Sequence, residues 1–310
     1  MQVPVLFLVF NRPQTTQVVF EAIRKQQPDQ LFIAADGQRN NQDRANCEAV
    51  KDLIMSQIDW PCTVKTLFRD TNLGCGRSVS SAINWFFEHV EAGIILEDDC
   101  VPNDSFFLFC ELLLKRYQDD LRISAISGNN FQTPQPMPIE SDYYYSIFPS
   151  SWGWATWRRA WTGFDLHLNS WTQYRKPEFE RFLFNEKSYS LWWRKQFDCF
   201  FRNKFEHTWD FQFHYLSMVR RQYVIMPKAN LVCNIGHGPD ATHFTNSDSP
   251  IAHLPTYELT FPLKHPEFVS RNYPADVHHQ QLLFGAIETA GPVKRVKRFL
   301  KRAIRTLAQR

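Results

Sequence analysis

The sequence predicts an α/β fold, an open and mostly parallel sheet flanked by helices, and three observations predict it. Over the first ~130 residues, short apolar runs alternate with amphipathic stretches, the pattern of repeated βαβ units. The opening run, residues 3–10, is apolar at successive positions, as a central parallel strand covered on both faces must be. Polar residues stand just beyond the ends of the runs, where open parallel sheets bind their ligands.

Each element follows from its own pattern. Strands are predicted at 3–10, 30–35, 63–68, 93–96 and 122–127. Between them, helices are predicted at 15–26, 45–57, 77–90 and 105–117. The third helix sets Val79, Ile83, Phe86, Phe87 and Val90 on its inner side, and Asp104 or Ser105 is the expected N-cap of the fourth. Right-handed crossovers join these into one sheet. The texture changes after Asn130. Residues 132–138 are Pro-rich and loop-like, and 150–161 are dense in Trp and Arg. Helices are expected over 178–204 and 209–220, and a strand over 223–227. The stretch 234–246 carries two histidines and reads as a loop over a site. The chain therefore divides into residues 1–130, a docked second subdomain at 131–290, and a tail at 291–310.

Composition narrows the function classes. The 310 residues suffice for a large core, and 15% are aromatic, more than a core alone needs. Seven cysteines without a C-x-x-C pair predict reduced thiols in a cytosol, not disulfides or a zinc site. The run 3–10 is too short for a secretory signal and lacks a basic lead, and no run is long enough to span a membrane. The net charge of +3 hides eight Lys/Arg and no acid between Val293 and Arg310, so the remainder carries 3 − 8 = −5. That body is not a nucleic-acid binder. In the tail, Val293, Val296, Leu300, Ile304 and Leu307 recur at helical spacing opposite the basic residues. This predicts an interfacial helix drawn to anionic lipid, and a cytoplasmic protein peripheral to the inner face of a membrane. The plainer alternative is a solvated end.

Four polar groups fall at strand ends: Asn11-Arg12, Asp36, Arg69-Asp70 and Glu97-Asp98-Asp99. The acidic triplet is the sharpest. Three adjacent carboxylates at a buried strand end repel one another and lose hydration. Mn²⁺ or Mg²⁺ would neutralise them and bridge the phosphates of a nucleotide diphosphate. A solvated acidic turn is the ordinary alternative, disfavoured by the preceding Gly-Ile-Ile-Leu. Arg12 and Arg77 suit phosphate oxygens. The run from Asn72 to Ser78 places glycines before a helix N-terminus, either an anion cradle or a simple turn. Asp36 suits a base or ribose, or a turn. Trp152, Trp154 and Trp157 suit sugar faces or the core.

These residues resemble a known group. Arg69, Asn72-Leu73-Gly74 and Arg77, followed by Ile94-Ile95-Leu96-Glu97-Asp98-Asp99, look like the donor half of GT-A glycosyltransferases. The triplet is most similar to that of the N-acetylglucosaminyltransferase family that begins complex N-glycans, with a looser likeness to bacterial family-2-like sugar transferases. Asp104-Ser105-Phe106-Phe107, Ile126-Ser127-Gly128-Asn129-Asn130, Ser150-Ser151-Trp152-Gly153-Trp154 and Trp209-Asp210 resemble further segments of that family. The resemblance implies a GT-A fold that binds a nucleotide-diphosphate sugar, UDP-linked, in residues 1–130 and an acceptor in 131–290. It makes Asp99 the metal ligand and sets Glu97 and Asp98 on ribose or sugar. Arg12, Asp36, Arg69, Asn72, Arg77 and Trp154 complete the expected donor site. It makes Asp210 the general base of an inverting transfer to a glycan or lipid-linked hydroxyl, although Phe211 stands where the family has a second acid. For Asp210 the ordinary alternative is an ion pair with Arg220 or Arg221. His243, or else His237, is the expected second metal ligand. The rival readings are a sugar nucleotidyltransferase, which normally carries a Gly-rich basic loop after its first strand, and a non-catalytic binding module.

Overall fold

The computed structural model describes residues 1–236, 251 and 254–285. The first half runs β1 (Val5–Val9), α1 (Pro13–Gln26), β2 (Gln30–Ala35), α2 (Asn41–Ser56), β3 (Thr63–Phe68), α3 (Cys75–His89), β4 (Ala92–Glu97), β5 (Cys100–Pro102), α4 (Asp104–Arg116) and β6 (Ile123–Ser127). The second half adds β7 (Tyr143–Ser146), β8 (Trp154–Trp157), α5 (Arg158–Trp161), α6 (Trp171–Tyr174), α7 (Pro177–Leu183), α8 (Lys187–Asn203), α9 (Asp210–Val219), β9 (Tyr223–Pro227), β10 (Val232–Asn234) and α10 (Tyr273–Phe284).

The fold is α/β, with eight strands in the order β3-β2-β1-β4-β8-β6-β9-β7. Six run one way; β8 and β7 are reversed. Alternation along β1 sends Val5, Phe7 and Val9 to one layer and Leu6 and Leu8 to the other. The first layer packs on Phe20 and Ile23 of α1, Val50 and Ile54 of α2 and Phe109 and Leu113 of α4. The second packs on Ile83 and Phe86 of α3 and Phe213 and Leu216 of α9. A third cluster, including Trp171, Phe179, Trp193, Phe197 and Met218, joins α6 to α9.

The strands expected at 30–35, 63–68 and 223–227 form with those bounds. Helices begin earlier than their apolar patterns do. Pro13 opens α1, where its missing N–H costs nothing, and Asn40 caps α2 through Gln42 and Asp43. The cap of α4 is a correction. It is Asn103, whose side chain accepts from Phe106 N, and neither Asp104 nor Ser105. Ser105 instead donates from its backbone N–H to Glu258 at 2.9 Å.

The largest departure is β8. The Trp/Arg-rich stretch is a strand wedged antiparallel between β4 and β6, with Trp154 opposite both Ile95 and Ser127. All four of its residues are buried, so no alternation marks it. Gly153 precedes it at φ 64°, turning the chain where Val232 and Leu96 leave little room for a Cβ. The antiparallel pair β5–β10 then sets Asn234 beside Cys100, carrying the second half to the acidic triplet. All seven cysteines are free. Among the described residues no helix is long and apolar enough to cross a membrane.

Candidate functional site

β4 delivers Glu97, Asp98 and Asp99 to the carboxyl end of the sheet, and β1 delivers Arg12 opposite them. Arg12 Nη1 donates to Asp99 Oδ2 at 2.8 Å, and its Nη2 pairs with Asp98 Oδ1. Phe10 N donates to the other Asp98 oxygen at 3.1 Å. Asp98, 2% exposed, thus ties β1 to β4. Arg12 therefore carries part of the neutralisation that the sequence assigned to a metal alone. One guanidinium does not balance three carboxylates. Burial, then Asp99 and Asp98, push Glu97 up to about 8. Burial, partly offset by Arg12, pushes Asp98 up to about 6.

Asp99 lies under the second half of the chain. Its carbonyl accepts from Ile235 N at 2.8 Å. A Cβ at Gly236 would fall 2.1 Å from Asp99 Oδ2, so any side chain there would displace the Asp99 carboxylate. Asn234 Oδ1 holds Gly236 N at 2.8 Å. His237 and His243 lie outside the described residues. Among the described residues no group of three His, Cys, Asp or Glu gathers as a metal cage.

A cavity of about 970 Å³ opens beyond β1, β2 and β4. Its lining includes Asn11, Arg12, Asp36, Asn72, Glu97 and Asp98. Asp36 is committed to the turn before α3. Its Oδ1 accepts from Gly37 N at 2.9 Å and Leu73 N at 3.0 Å, and its Oδ2 from Asn72 Nδ2 at 3.0 Å and Gly74 N at 3.1 Å. The Asn-x-Gly run is thus a turn clamped to Asp36, which takes two of its backbone amides and the Asn72 side-chain amide. Asn11, which caps no helix, donates to Asp43 at 2.8 Å.

A second cavity of about 490 Å³ lies on the α9 side. Arg12, Cys75, Glu97 and His207 line both, so the two chambers meet at the triplet. Asp210 stands in the wall of the second chamber as the first residue of α9. Its Oδ1 accepts from Phe211 N at 2.9 Å and from the Thr208 hydroxyl. The ion pair with Arg220 does not form; that guanidinium donates to the carbonyls of Ala160 at 3.1 Å and Thr162 at 2.6 Å. Arg221 stands over the Phe182 ring.

Two buried histidines back the same chamber. His214 Nδ1 meets the Asp210 carbonyl at 2.9 Å and must donate to it. His279 stacks on Phe148 at 4.6 Å, and burial lowers it to about 3. The unfolded chain takes up that proton near 6.5, so the stabilisation from neutral His279 is complete above 6.5 and fades as pH falls toward 3. Replacing His279 with Phe is expected to remove a loss of about 3 kcal/mol between pH 6.5 and pH 4. Urea midpoints across that range check this, and parallel pH profiles for the two proteins would refute it.

Three expected donor residues stand apart from both chambers. Arg69 donates to Ser81 Oγ at 2.7 Å. Arg77 is exposed and pairs with Glu206 at 2.5 Å. Trp154, 1% exposed, is in the core, stacked on Trp209 at 5.4 Å. Trp157 is buried as well, donating to the Leu114 carbonyl at 3.2 Å, whereas Trp152 lines the smaller chamber. Cys75, His207, Phe211, His214 and Phe284 line that chamber without having been singled out as its walls.

No protein-family model and no curated protein matches the chain. Solved structures give distant likenesses. A mannosyltransferase from Pyrobaculum calidifontis, in complex with GDP-Man and Mn²⁺, is 12% identical at a TM-score of 0.35. That match covers 51% of this chain and 46% of the mannosyltransferase, under half its length. HddC from Yersinia pseudotuberculosis is 11% identical over 51% of this chain and 78% of its own, with a TM-score of 0.31. A UDP-glucose pyrophosphorylase complexed with UDP-glucose is 11% identical over 73% of this chain and 90% of its own, with a TM-score of 0.37. Likenesses this distant carry no argument about activity. The chain's own geometry has to carry it, and that geometry is two chambers joined at an acidic triplet on the carboxyl end of an α/β sheet.

Proposed function

We propose that this chain is a glycosyltransferase that moves a sugar from a nucleotide-diphosphate donor, UDP-linked, to a hydroxyl of a glycan or lipid-linked acceptor, with inversion. One observation carries the reading. Two chambers share Glu97 and Arg12, and a carboxylate, Asp210, stands in the wall of the smaller one. Transfer between two substrates needs two such spaces and a proton acceptor in the second. The larger chamber is lined by residues between Leu8 and Asp98, joined by His207, which suits residues 1–130 as the donor part and 131–290 as the acceptor part.

Asp99 fits a divalent cation as a single carboxylate ligand beside uncompensated negative charge, the donor phosphates supplying further oxygens. When bound, Mn²⁺ or Mg²⁺ supplies stabilisation of the leaving diphosphate. Arg12 orients Asp98 and Asp99 and offers a guanidinium to phosphate. Asp210 takes the proton of the attacking hydroxyl.

A thermal-shift screen of nucleotide sugars with and without Mn²⁺ tests the donor half, because a bound ligand raises stability by mass action. Slow Mn²⁺-dependent release of nucleotide diphosphate from the stabilising sugar is expected. Release of pyrophosphate from a nucleoside triphosphate and a sugar phosphate would instead indicate a nucleotidyltransferase, and stabilisation without turnover a binding module.

The tail belongs to the same proposal, although residues 291–310 lie outside the described residues. Its eight Lys/Arg without an acid would hold the enzyme at an anionic inner membrane face, near a lipid-linked acceptor. Deleting residues 293–310 is expected to abolish cosedimentation with phosphatidylserine vesicles while leaving donor binding intact. Unchanged cosedimentation would remove the anchor.

A further inference from the structure

We propose that the smaller chamber selects an uncharged glycoside as acceptor and rejects anionic ones. The inference deepens the transferase reading and rests on it for the word acceptor. Its evidence is the make-up of the wall.

The chamber's volume of about 490 Å³ is in the ~300–1,000 Å³ range of small-molecule sites. Phe131, Trp152, Phe200, Trp209, Phe211 and Phe284 contribute aromatic surface. Phe200 and Phe211 stack at 5.0 Å, and Phe284 meets Phe211 at 6.1 Å. Flat apolar faces of this kind suit the C–H faces of a pyranose or an apolar aglycone, with a few polar groups left to fix orientation.

Charge decides the class of sugar. The described lining holds three carboxyl groups, those of Glu97, Asp99 and Asp210. Its one permanently charged cation among the described residues is Arg12, already paired with Asp98 and Asp99. His214 and His279 are kept neutral by burial. His207 is exposed, near the rings of Phe200 and Phe205. A carboxylate or phosphate on the acceptor would lose hydration in this recess and face Asp99 and Asp210 with no free counter-charge among the described lining residues. A cation at Asp99 would not change this balance, because the donor diphosphate brings matching negative charge. An uncharged hydroxyl-bearing ring meets no such penalty.

Saturation-transfer NMR with nitrophenyl β-hexosides and the matching nitrophenyl β-hexuronides, in the absence of donor, tests the selection on the full chain. The hexosides are expected to bind at least about tenfold more tightly. Phe284→Lys, at a partly exposed position, is expected to narrow that gap by improving hexuronide binding. Hexuronides binding as tightly as hexosides to the wild type, or no hexoside binding, overturns the proposal whatever the variant does. Nucleotide-sugar binding is measured in parallel by thermal shift. Its failure beside normal hexoside selection would overturn the transferase reading and leave the selectivity of the chamber standing.

Discussion

Replacing Asp210 with Asn is expected to lower the transfer rate by ~10²–10⁴-fold while donor binding stays normal. The change is nearly isosteric. Asp210 Oδ1 accepts from Phe211 N and Thr208 Oγ1, and an amide oxygen can accept both bonds in the same geometry. The start of α9 should therefore keep its shape. What is lost is the ability to take a proton. The competing explanation for this carboxylate, a surface ion pair, has no support in the fold, because Arg220 is spent on the carbonyls of Ala160 and Thr162. Single-turnover transfer and donor affinity should be measured on the same preparation. Normal transfer by Asp210→Asn would falsify the base assignment. Weakened donor binding with an unchanged rate would move Asp210 from proton transfer to substrate placement.

The larger chamber was far more legible in the sequence than the smaller one, for a physical reason. β1, β2 and β4 are central strands followed by helices, so apolar runs and helical periodicity mark them directly. The ends of such runs locate a site without knowledge of any loop. That logic places Arg12, Glu97, Asp98 and Asp99 at one edge of the sheet, where the fold brings them together. It does not reveal which groups a side chain has already satisfied. Asp36 and Asn72 are near the larger chamber, yet Asp36 spends four hydrogen bonds holding residues 72–74 and its own neighbour. Arg77 is one turn into α3, but its partner Glu206 comes from the loop before α9, a contact no local pattern encodes. β8 shows the same limit. A four-residue strand buried on both faces has no alternation, and its two tryptophans, which suit sugar faces or the core in the sequence, are core. The aromatic wall of the smaller chamber was hidden by abundance. With 27 Phe in the chain, Phe211 and Phe284 carry no signal until α9 and α10 bring them together.

Replacing Arg12 with Met is expected to cost ~3–5 kcal/mol of stability in the absence of divalent cation. The guanidinium pairs with Asp98, 2% exposed, and with Asp99 at 2.8 Å, and its loss leaves both carboxylates without their counter-charge. The pH dependence should change with it. Glu97 titrates at about 8 in the fold against 4.5 in the unfolded chain, and its penalty is absent below 4.5 and complete once pH has risen through 8. Arg12 lowers that value in the wild type, so in the variant the loss of stability should continue to higher pH than in the wild type. Metal then separates two accounts of the triplet. In the wild type a cation at Asp99 must share or displace a hydrogen bond that Arg12 already makes to Oδ2. In the variant that oxygen awaits a positive charge, so Mn²⁺ should restore more stability than it adds to the wild type. Urea unfolding of both proteins, with and without Mn²⁺, makes the comparison. A larger Mn²⁺ gain in the wild type would mean that Arg12 helps to build the cation site. A larger gain in the variant would mean that guanidinium and metal are alternative occupants of one anionic pocket, with the donor phosphates deciding between them.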